Sequence, residues 1–263
     1  MRQAFLALLL AVAASTALQA GEPDLLASKA IVTGIGADNR ILGFRQCIPS
    51  MLVRLSGDQR LLHHPGLPAL LDQPERHVAS YSYRDRLEGV PIHDEQGSYA
   101  RPHDLTCRFD PSHALAMLAE LGSRPWPTPR PGLAFFVHVE QAGRSFTLTE
   151  GSAESPYMAE SLALAAEPLA LDVRLPASTG ASTLDGALPG PDAFEALARQ
   201  SGVRVPLAMT LHWSDADLGW IARFRMVDAS GMHDWSARGI SFDEAFRVGV
   251  RGAAQILSGN GAP

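Results

Sequence analysis

A short stretch near residue 95 concentrates side chains that can bind metal ions or transfer protons. His93, Asp94 and Glu95 are adjacent, and His103 follows within the same loop-like segment, residues 88–107. Imidazole and carboxylate groups are zinc ligands in catalytic sites, and they are also general acids and bases. Because neighbouring side chains on an extended chain point in opposite directions, only His93 and Glu95 would face the same side. A metal or catalytic site would therefore need further ligands from elsewhere, such as His103.

Charged side chains of both signs surround this segment. Arg84, Arg86 and Arg101 flank it, with Asp85 and Glu88 among them. A mixed set of this kind favours a loop that is held by its own ion pairs. Two other interpretations stay open, a surface that contacts a partner and a metal or catalytic site, because loops on rigid scaffolds often carry function. The candidate contact residues are His93, Asp94, Glu95, Arg101 and His103.

Predicted strands and helices on both sides of the loop would position it. Residues 78–87 and 104–109 have the composition of strands, so the loop would connect two strands. A helix is predicted over residues 39–55, where apolar side chains recur with a helical period. Asp38 can cap the start of this helix, and Gly57 can end it. The N-terminal part of the chain therefore combines helix and strand.

The chain contains two cysteines, Cys47 and Cys107. Cys47 falls on the apolar face of the predicted helix, and Cys107 lies in a predicted strand. In an exported protein a disulfide would join helix to sheet. Two buried free thiols are the alternative, because cysteine is often fully buried and the sequence does not give the distance that decides between them. Two cysteines are too few for a zinc site of the Cys-x-x-Cys type.

The second half of the chain continues the alternation of strands and helices. A proline-rich segment at residues 123–132 is predicted to be a hinge after an N-terminal lobe, residues 21–122. The C-terminal lobe, residues 133–263, contains a flexible Ser/Gly/Pro-rich loop at residues 176–190. Three consecutive strands before the last helix predict a partly antiparallel sheet. The fold class is therefore α/β or α+β, with two small lobes in which mixed, partly antiparallel sheets pack against helices.

Two other motifs have the spacing of known sites but lack their partners. "VTGIGADN" follows a strand and opens a helix, yet Asn39 stands where the third glycine of a dinucleotide-binding loop belongs. His138 and Glu140 in "FVHVE" lie on one face of a strand with the His-x-Glu spacing of zinc deaminases, but the Pro-Cys-x-x-Cys partner is missing. We therefore expect a tight turn at the glycines and a hydrogen-bonded histidine at a sheet surface. We assign no cofactor, metal ligand or catalytic residue.

The first 20 residues have the layout of a secretory signal peptide. Arg2 gives a positive start, residues 4–14 are apolar, and small residues allow cleavage after Ala17 or Ala20. This predicts export to the periplasm, with no transmembrane segment after the signal is removed. The formal net charge of −6 provides no positive field that would attract nucleic acid.

Several stretches, taken in order, resemble one exported bacterial family. They are "LVRLSGDQRLLHHP", "YRDRLEGVPIHDEQG", "LTCRFDP", "LGSRPWPTPRPGLAFFV" and "GWIARFRMVDASGMHDWSARGISFDEAFRVGV". The family is called domain of unknown function 2066, and the resemblance extends over residues 30–257. It implies no activity, ligand or catalytic residue. The C-terminal tail is also similar to small envelope domains, the LpoB-type activators of penicillin-binding proteins and the N-terminal domain of TolB, which bind protein partners; this analogy is one of fold.

These observations together predict an exported, non-enzymatic protein that binds a partner in the cell envelope. The basis is the signal-peptide layout, the lack of a complete catalytic motif in the sequence, and the resemblance. The alternative is a periplasmic hydrolase or metal-dependent enzyme that uses His93, Glu95 and His103. A third interpretation is a structural protein whose loop only helps the N-terminal lobe to fold. The expected partner is an envelope protein and not nucleic acid.

Overall fold

The computed structural model describes most of the chain after its first 23 residues. The described residues are 24–90, 100–151, 155–177, 184, 186–202 and 204–263. The predicted signal peptide, the residues at 93–95 and part of the predicted loop at 176–190 lie outside them. No helix in the described ranges is both long enough and apolar enough to cross a membrane.

The N-terminal lobe is a three-stranded antiparallel sheet with helices packed on it. The strands are β1 (Ala27–Thr33), β2 (Ser80–Asp85) and β3 (Pro102–Arg108), and the helices are α1 (Ala37–Ser56), α2 (Leu67–Asp72) and α3 (Pro111–Glu120). Strand β3 lies between β1 and β2. Ala30 and Leu105 pair on the buried face, whereas Ile31 and Asp104 pair on the opposite face. Helix α1 therefore covers one face of the sheet, since side chains alternate along each strand.

Helix α1 packs closely on the sheet because it carries a glycine at the contact. A Cβ atom at Gly43 would collide with the Leu105 side chain. The helix ends at Gly57, whose φ of 74° is in the left-handed region, as the sequence predicts. Its start differs from the prediction. The N-cap residue is Gly36, and Asp38 lies in the first turn without a capping hydrogen bond, where its charge still complements the positive end of the helix.

Cys47 on α1 and Cys107 on β3 form a disulfide. Their Cα atoms lie 6.3 Å apart, and both side chains are fully buried. The Ser28 hydroxyl on β1 also donates a hydrogen bond to the Cys47 carbonyl oxygen at 2.8 Å. Helix α1 is therefore joined covalently to the central strand of the sheet and by a hydrogen bond to an edge strand.

The C-terminal lobe is built on a six-stranded mixed sheet. Its strands are β4 (Leu133–Gln141), β5 (Arg144–Leu148), β6 (Val173–Arg174), β7 (Val205–Ser214), β8 (Gly219–Asp228) and β9 (Gly231–Ile240), and its helices are α4 (Pro156–Ala166), α5 (Pro191–Ser201) and α6 (Phe242–Leu257). The strand order is β5-β4-β7-β8-β9, and the short β6 pairs with β4. Strand β4 runs parallel to β6 and β7, and the other pairs are antiparallel. The prediction of an α+β fold with mixed, partly antiparallel sheets is confirmed.

The two faces of the C-terminal sheet have different surroundings. On one face Phe135 and Phe224 are buried beneath α6, which packs beside α4. Helix α6 approaches this face closely, since a Cβ atom at Gly252 would lie 2.6 Å from the Trp235 ring. On the other face Phe194 of α5 packs on the N-terminal halves of β4 and β7. The remaining part of that face carries polar side chains and is not covered by α5.

The predicted hinge at residues 123–132 is packed between the lobes. The Trp126 ring is buried, and its backbone N–H donates to the Leu55 carbonyl oxygen at 2.8 Å. The Arg130 guanidinium lies 4.5 Å from the centre of the Trp126 ring. One cluster of buried apolar side chains runs through both lobes. The segment therefore fixes the two lobes against each other through specific contacts.

Candidate partner-binding site

One end of the N-terminal sheet brings the two ends of the β2–β3 loop beside the β1–α1 turn. This region, here called the loop end, consists of residues 34–35, 85–90 and 100–101. Arg101 organises it through its backbone and its side chain. Its carbonyl oxygen accepts the Gly34 N–H at 2.7 Å, and its guanidinium donates to the carbonyl oxygens of Leu87 and Val90, the latter at 3.2 Å. Arg101 therefore joins its own segment to two others, at Gly34 and at Leu87–Val90.

The charges around the loop end are paired with one another. Arg101 Nε lies 3.1 Å from a carboxylate oxygen of Asp85. Arg84 and Arg86 both contact Asp104, at 2.5 and 3.5 Å. Hydrogen bonding from the Arg84 guanidinium holds the pKa of the Asp104 carboxyl below its ordinary value. The described part of the loop thus has the ion pairs that the mixed charges of the sequence predict.

Apolar side chains are exposed at this same end. Ile35, Leu87 and Val90 are 60%, 41% and 53% exposed. Leu87 and Val90 are bonded to Arg101, and Ile35 follows Gly34, which is bonded to it as well. Gly34 has a φ of 75°, and a Cβ atom there would lie only 3.0 Å from a neighbouring side chain, so this turn requires glycine. The loop end therefore combines exposed apolar side chains with paired charges, a composition that protein contact surfaces share.

Only some of the predicted contact residues lie in the part of the chain that the structure describes. Arg101 and His103 are described, whereas the residues at 93–95 are not. The His103 Nδ1 atom lies 2.8 Å from the Arg101 carbonyl oxygen. Because a carbonyl oxygen only accepts, Nδ1 is the donor in this hydrogen bond. The His103 ring also packs edge-to-face on Tyr83 at 6.1 Å. Arg101 and His103 therefore support the base of the loop.

A second polar cluster lies on the part of the C-terminal sheet that α5 does not cover. The strand register places His138 and Glu140 of β4 beside Ser145 of β5 and His212 of β7. The Glu140 carboxylate joins the two histidines, with one oxygen 3.1 Å from His138 Nε2 and the other 3.3 Å from His212 Nδ1. The hydrogen bond with His138, and to a smaller extent that with His212, holds the pKa of Glu140 below its ordinary value. Gly186, which lies between β6 and α5, approaches this cluster so closely that a Cβ atom there would lie 2.7 Å from Glu140.

The geometry of this cluster is not that of a serine nucleophile. Ser145 Oγ lies 3.2 Å from His138 Nε2, the same nitrogen that contacts Glu140. In a Ser-His-acid triad the serine and the acid bond to opposite ring nitrogens. The cluster also does not form a metal site, because no group of three or more His, Cys, Asp or Glu side chains in the described part of the chain could hold a metal ion. It is a partly buried, hydrogen-bonded polar cluster.

The sequence indicates only part of this second cluster. His138 and Glu140 stand out through their His-x-Glu spacing, and the expected hydrogen bond to His138 is present at Nε2. Its Nδ1 atom is buried without a hydrogen-bond partner in the described structure. Ser145 and His212 come from neighbouring strands, and no motif marks them. Only the strand register could have identified them, since it decides which side chains share a face.

Comparisons with known proteins match the N-terminal part of the chain. No curated protein and no solved structure matches. A family model described as "Domain of unknown function (DUF8605)" matches residues 20–127, which include the N-terminal lobe and its loop end. This match does not support the name domain of unknown function 2066. Residues 20–127 are therefore similar to an uncharacterised domain, and the match carries no activity or ligand.

Proposed function

We propose that this chain is an exported protein of the cell envelope that binds a protein partner through the loop end and catalyses no reaction. The observation that carries the proposal is that Arg101 bonds to two other segments, in which Ile35, Leu87 and Val90 are exposed to solvent near the Arg101–Asp85 ion pair. Exposed apolar groups with polar surroundings are typical of protein contact surfaces.

Two features support action outside the cytoplasm. The first 20 residues have the order of charge, apolar run and small residues that export requires, and the family match begins at residue 20. The Cys47–Cys107 disulfide suits an oxidising compartment, because thiols are kept reduced in most cytosolic proteins. Both features support our proposal that the protein acts in the periplasm. Membership of domain of unknown function 2066 stays a prediction from the resemblance.

The predicted contact residues His93, Asp94 and Glu95 extend this surface in sequence. They belong to the loop whose first end, at Leu87 and Val90, is hydrogen-bonded to Arg101 at its other end. A loop anchored at its base loses less conformational entropy on binding than a free segment, so the anchoring favours recognition. The charged residues of the loop would then select the partner, while the exposed apolar side chains supply the buried area.

The enzymatic alternative is supported by one specific observation. The His103 Nδ1 proton is engaged by the Arg101 carbonyl oxygen, which leaves Nε2 as the basic nitrogen. Metal-bound and general-base histidines are commonly held in this way. In this alternative His103 would act with His93 and Glu95 as a metal or acid–base site. Stoichiometric zinc in the purified protein, lost in a His93→Ala variant of unchanged fold, would favour it over partner binding.

The direct test is in-cell crosslinking of the tagged protein followed by mass spectrometry of the captured proteins. The wild type is compared with a double variant, Ile35→Ser and Val90→Ser, and with a His93/Asp94/Glu95 triple-alanine variant. Leu164→Ser is the matched control, because Leu164 on α4 is 60% exposed and lies outside the loop end. We expect one envelope protein to be captured by the wild type and the control but lost from both loop-end variants. Equal capture by all four proteins, or no capture by any, would contradict the proposal.

A further inference from the structure

A cleft between the two lobes is lined by two arginines and a largely apolar wall. Its volume is about 630 Å³, within the range of small-molecule sites. Arg54 at the end of α1 and Arg130 in the segment between the lobes lie on its walls. Its apolar surface comes from Leu25, Pro129, Ala170 and Leu171.

Both guanidinium groups are held in fixed positions. Arg54 donates to the carbonyl oxygens of Ala27 at 2.6 Å and Glu167 at 2.7 Å. Arg130 donates to the carbonyl oxygens of Leu169 at 2.8 Å and Arg54 at 2.7 Å. A ligand would therefore meet cations that lose little side-chain freedom on binding, which favours affinity.

The charge of Arg130 has no counter-ion in the described structure. Its contacts are carbonyl oxygens and the Trp126 ring, and its Nε atom is buried without a hydrogen-bond partner. Burial, with the charge of Arg54 as a smaller contribution, lowers the pKa of Arg130 to about 10. A half-buried cation without an anion is unfavourable, and an anionic ligand would compensate it.

The acidic side chains at the cleft are occupied by other cations. Glu167 pairs with Lys29 at 3.0 Å. Asp172 pairs with Arg174 at 3.0 Å and with Arg204 at 2.6 Å. Because these carboxylates already have partners, they leave the charge of Arg130 available. Arg130 therefore keeps an uncompensated positive charge at the cleft, although the whole chain has a formal charge of −6.

We propose that this cleft binds a small anionic amphiphile, with a carboxylate or phosphate head against Arg130 and an apolar body on Leu25, Pro129, Ala170 and Leu171. Arg130 Nη2 is occupied by the carbonyl oxygens of Arg54 and Leu55, but Nη1 has one N–H beyond its bond to Leu169, and this group can form a charge-assisted hydrogen bond with either head. The apolar wall excludes strongly hydrated anions as the preferred ligands, since only an apolar body gains from contact with it. This inference does not depend on the proposed function of the loop end.

The test is calorimetric titration of the purified, disulfide-intact protein with decanoate, decyl phosphate, decanol and inorganic phosphate below micelle-forming concentrations. We expect saturable one-to-one binding of decanoate or decyl phosphate, at least about tenfold tighter than that of decanol or inorganic phosphate. The tighter of the two anionic amphiphiles identifies the head group. Equal affinity for decanol, or no binding of either anionic amphiphile, would overturn the proposal.

Two variants connect any binding to this cleft. Thr128 lines the cleft and is exposed, so Thr128→Trp fills it without disturbing a buried contact. Tyr157→Trp on α4 is the matched control, because Tyr157 is 73% exposed and does not line the cleft. Arg130→Lys keeps the charge but removes the planar donors. We expect at least tenfold weaker binding in Thr128→Trp and Arg130→Lys and unchanged binding in the control. Unchanged affinity in Thr128→Trp would place the ligand elsewhere and refute the proposal.

Discussion

Gln255 on helix α6 donates a hydrogen bond to the carboxylate of Asp58, which lies 3.2 Å away and 197 residues earlier in the chain. The amide oxygen of Gln255 accepts the Gln59 N–H at 2.8 Å, and its nitrogen also donates to the Asn260 carbonyl oxygen at 3.0 Å. Gln255 is only 1% exposed. One buried amide therefore joins the end of the first helix, in the N-terminal lobe, to the last helix of the C-terminal lobe.

Replacement of this amide should destabilise the whole protein. We expect Gln255→Leu to lower the free energy of unfolding by about 2–4 kcal/mol, because the buried Asp58 carboxylate and the Gln59 N–H lose a partner. Urea denaturation followed by circular dichroism measures the change. Gln46→Leu on the exposed face of α1 is the control and should change stability by less than about 0.5 kcal/mol. Equal effects of the two substitutions would show that the contact between the lobes is not important for stability.

The same contact predicts a loss of stability in acid. Burial raises the pKa of Asp58, but hydrogen bonds from Arg60 and Gln255 outweigh burial, so the pKa is lowered on folding. The unfolded state then binds more protons, and this contribution is complete above the ordinary carboxyl pKa of about 4. It disappears as the pH falls through the lower pKa of the folded state. Urea unfolding between pH 5 and 3 should show a smaller slope for Asp58→Asn than for the wild type; identical slopes would contradict the prediction.

A histidine pair should make stability depend on pH nearer neutrality. His77 Nδ1 lies 2.8 Å from His113 Nε2, and burial together with the charge of His113 lowers the pKa of His77. The unfolded state therefore takes up a proton below about pH 6.5, where the folded state resists it, and stability falls as the pH decreases. We expect His77→Gln to reduce the difference in unfolding free energy between pH 7.5 and 5.5. The exposed His63→Gln is the control and should retain the wild-type difference.

Helix α6 should not tolerate alanine at its contact with β9. A Cβ atom at Gly252 would lie 2.6 Å from the Trp235 ring, which is stacked on Phe224 at 5.2 Å. Alanine favours a helix by about 1 kcal/mol over glycine, but overpacking against a rigid ring costs about 1–3 kcal/mol. We expect Gly252→Ala to lower the thermal midpoint. In a Trp235→Leu background, where the ring is absent, the same substitution should be neutral or stabilising, and equal losses in both backgrounds would refute the packing argument.

The disulfide should contribute a large part of the stability of the N-terminal lobe. Cys47 and Cys107 are 60 residues apart, so the bridge restricts a long loop of the unfolded chain. The chain-entropy model assigns about 4 kcal/mol to a loop of this length. We expect a Cys47→Ser/Cys107→Ser variant to unfold at lower urea concentration by about this free energy. Addition of a reductant should destabilise the wild type but leave the variant unchanged.

The elements that the sequence predicts well are those with strong local signals. Helix α1 ends at Gly57 as its sequence indicates, and the three strands before the last helix pair in antiparallel fashion as expected. The prediction that Asp38 caps helix α1 was wrong. Gly36 is the N-cap residue, with an extended backbone, and Asp38 lies inside the first turn. Capping depends on the local backbone angles, and residue type restricts these only partly.

The sequence by itself determined three features: the apolar pattern, the strand order within each hairpin, and the mixed charges of the β2–β3 loop. All three depend on residues that are close together in the chain. Only the tertiary structure decided three other contacts, which are those of Gln255 with Asp58, of Arg130 with the Arg54 carbonyl oxygen, and of Gly34 with Arg101. These contacts join residues far apart in the chain. Their partners are set by strand register and by the packing of one lobe on the other, and no short pattern of residue types specifies either.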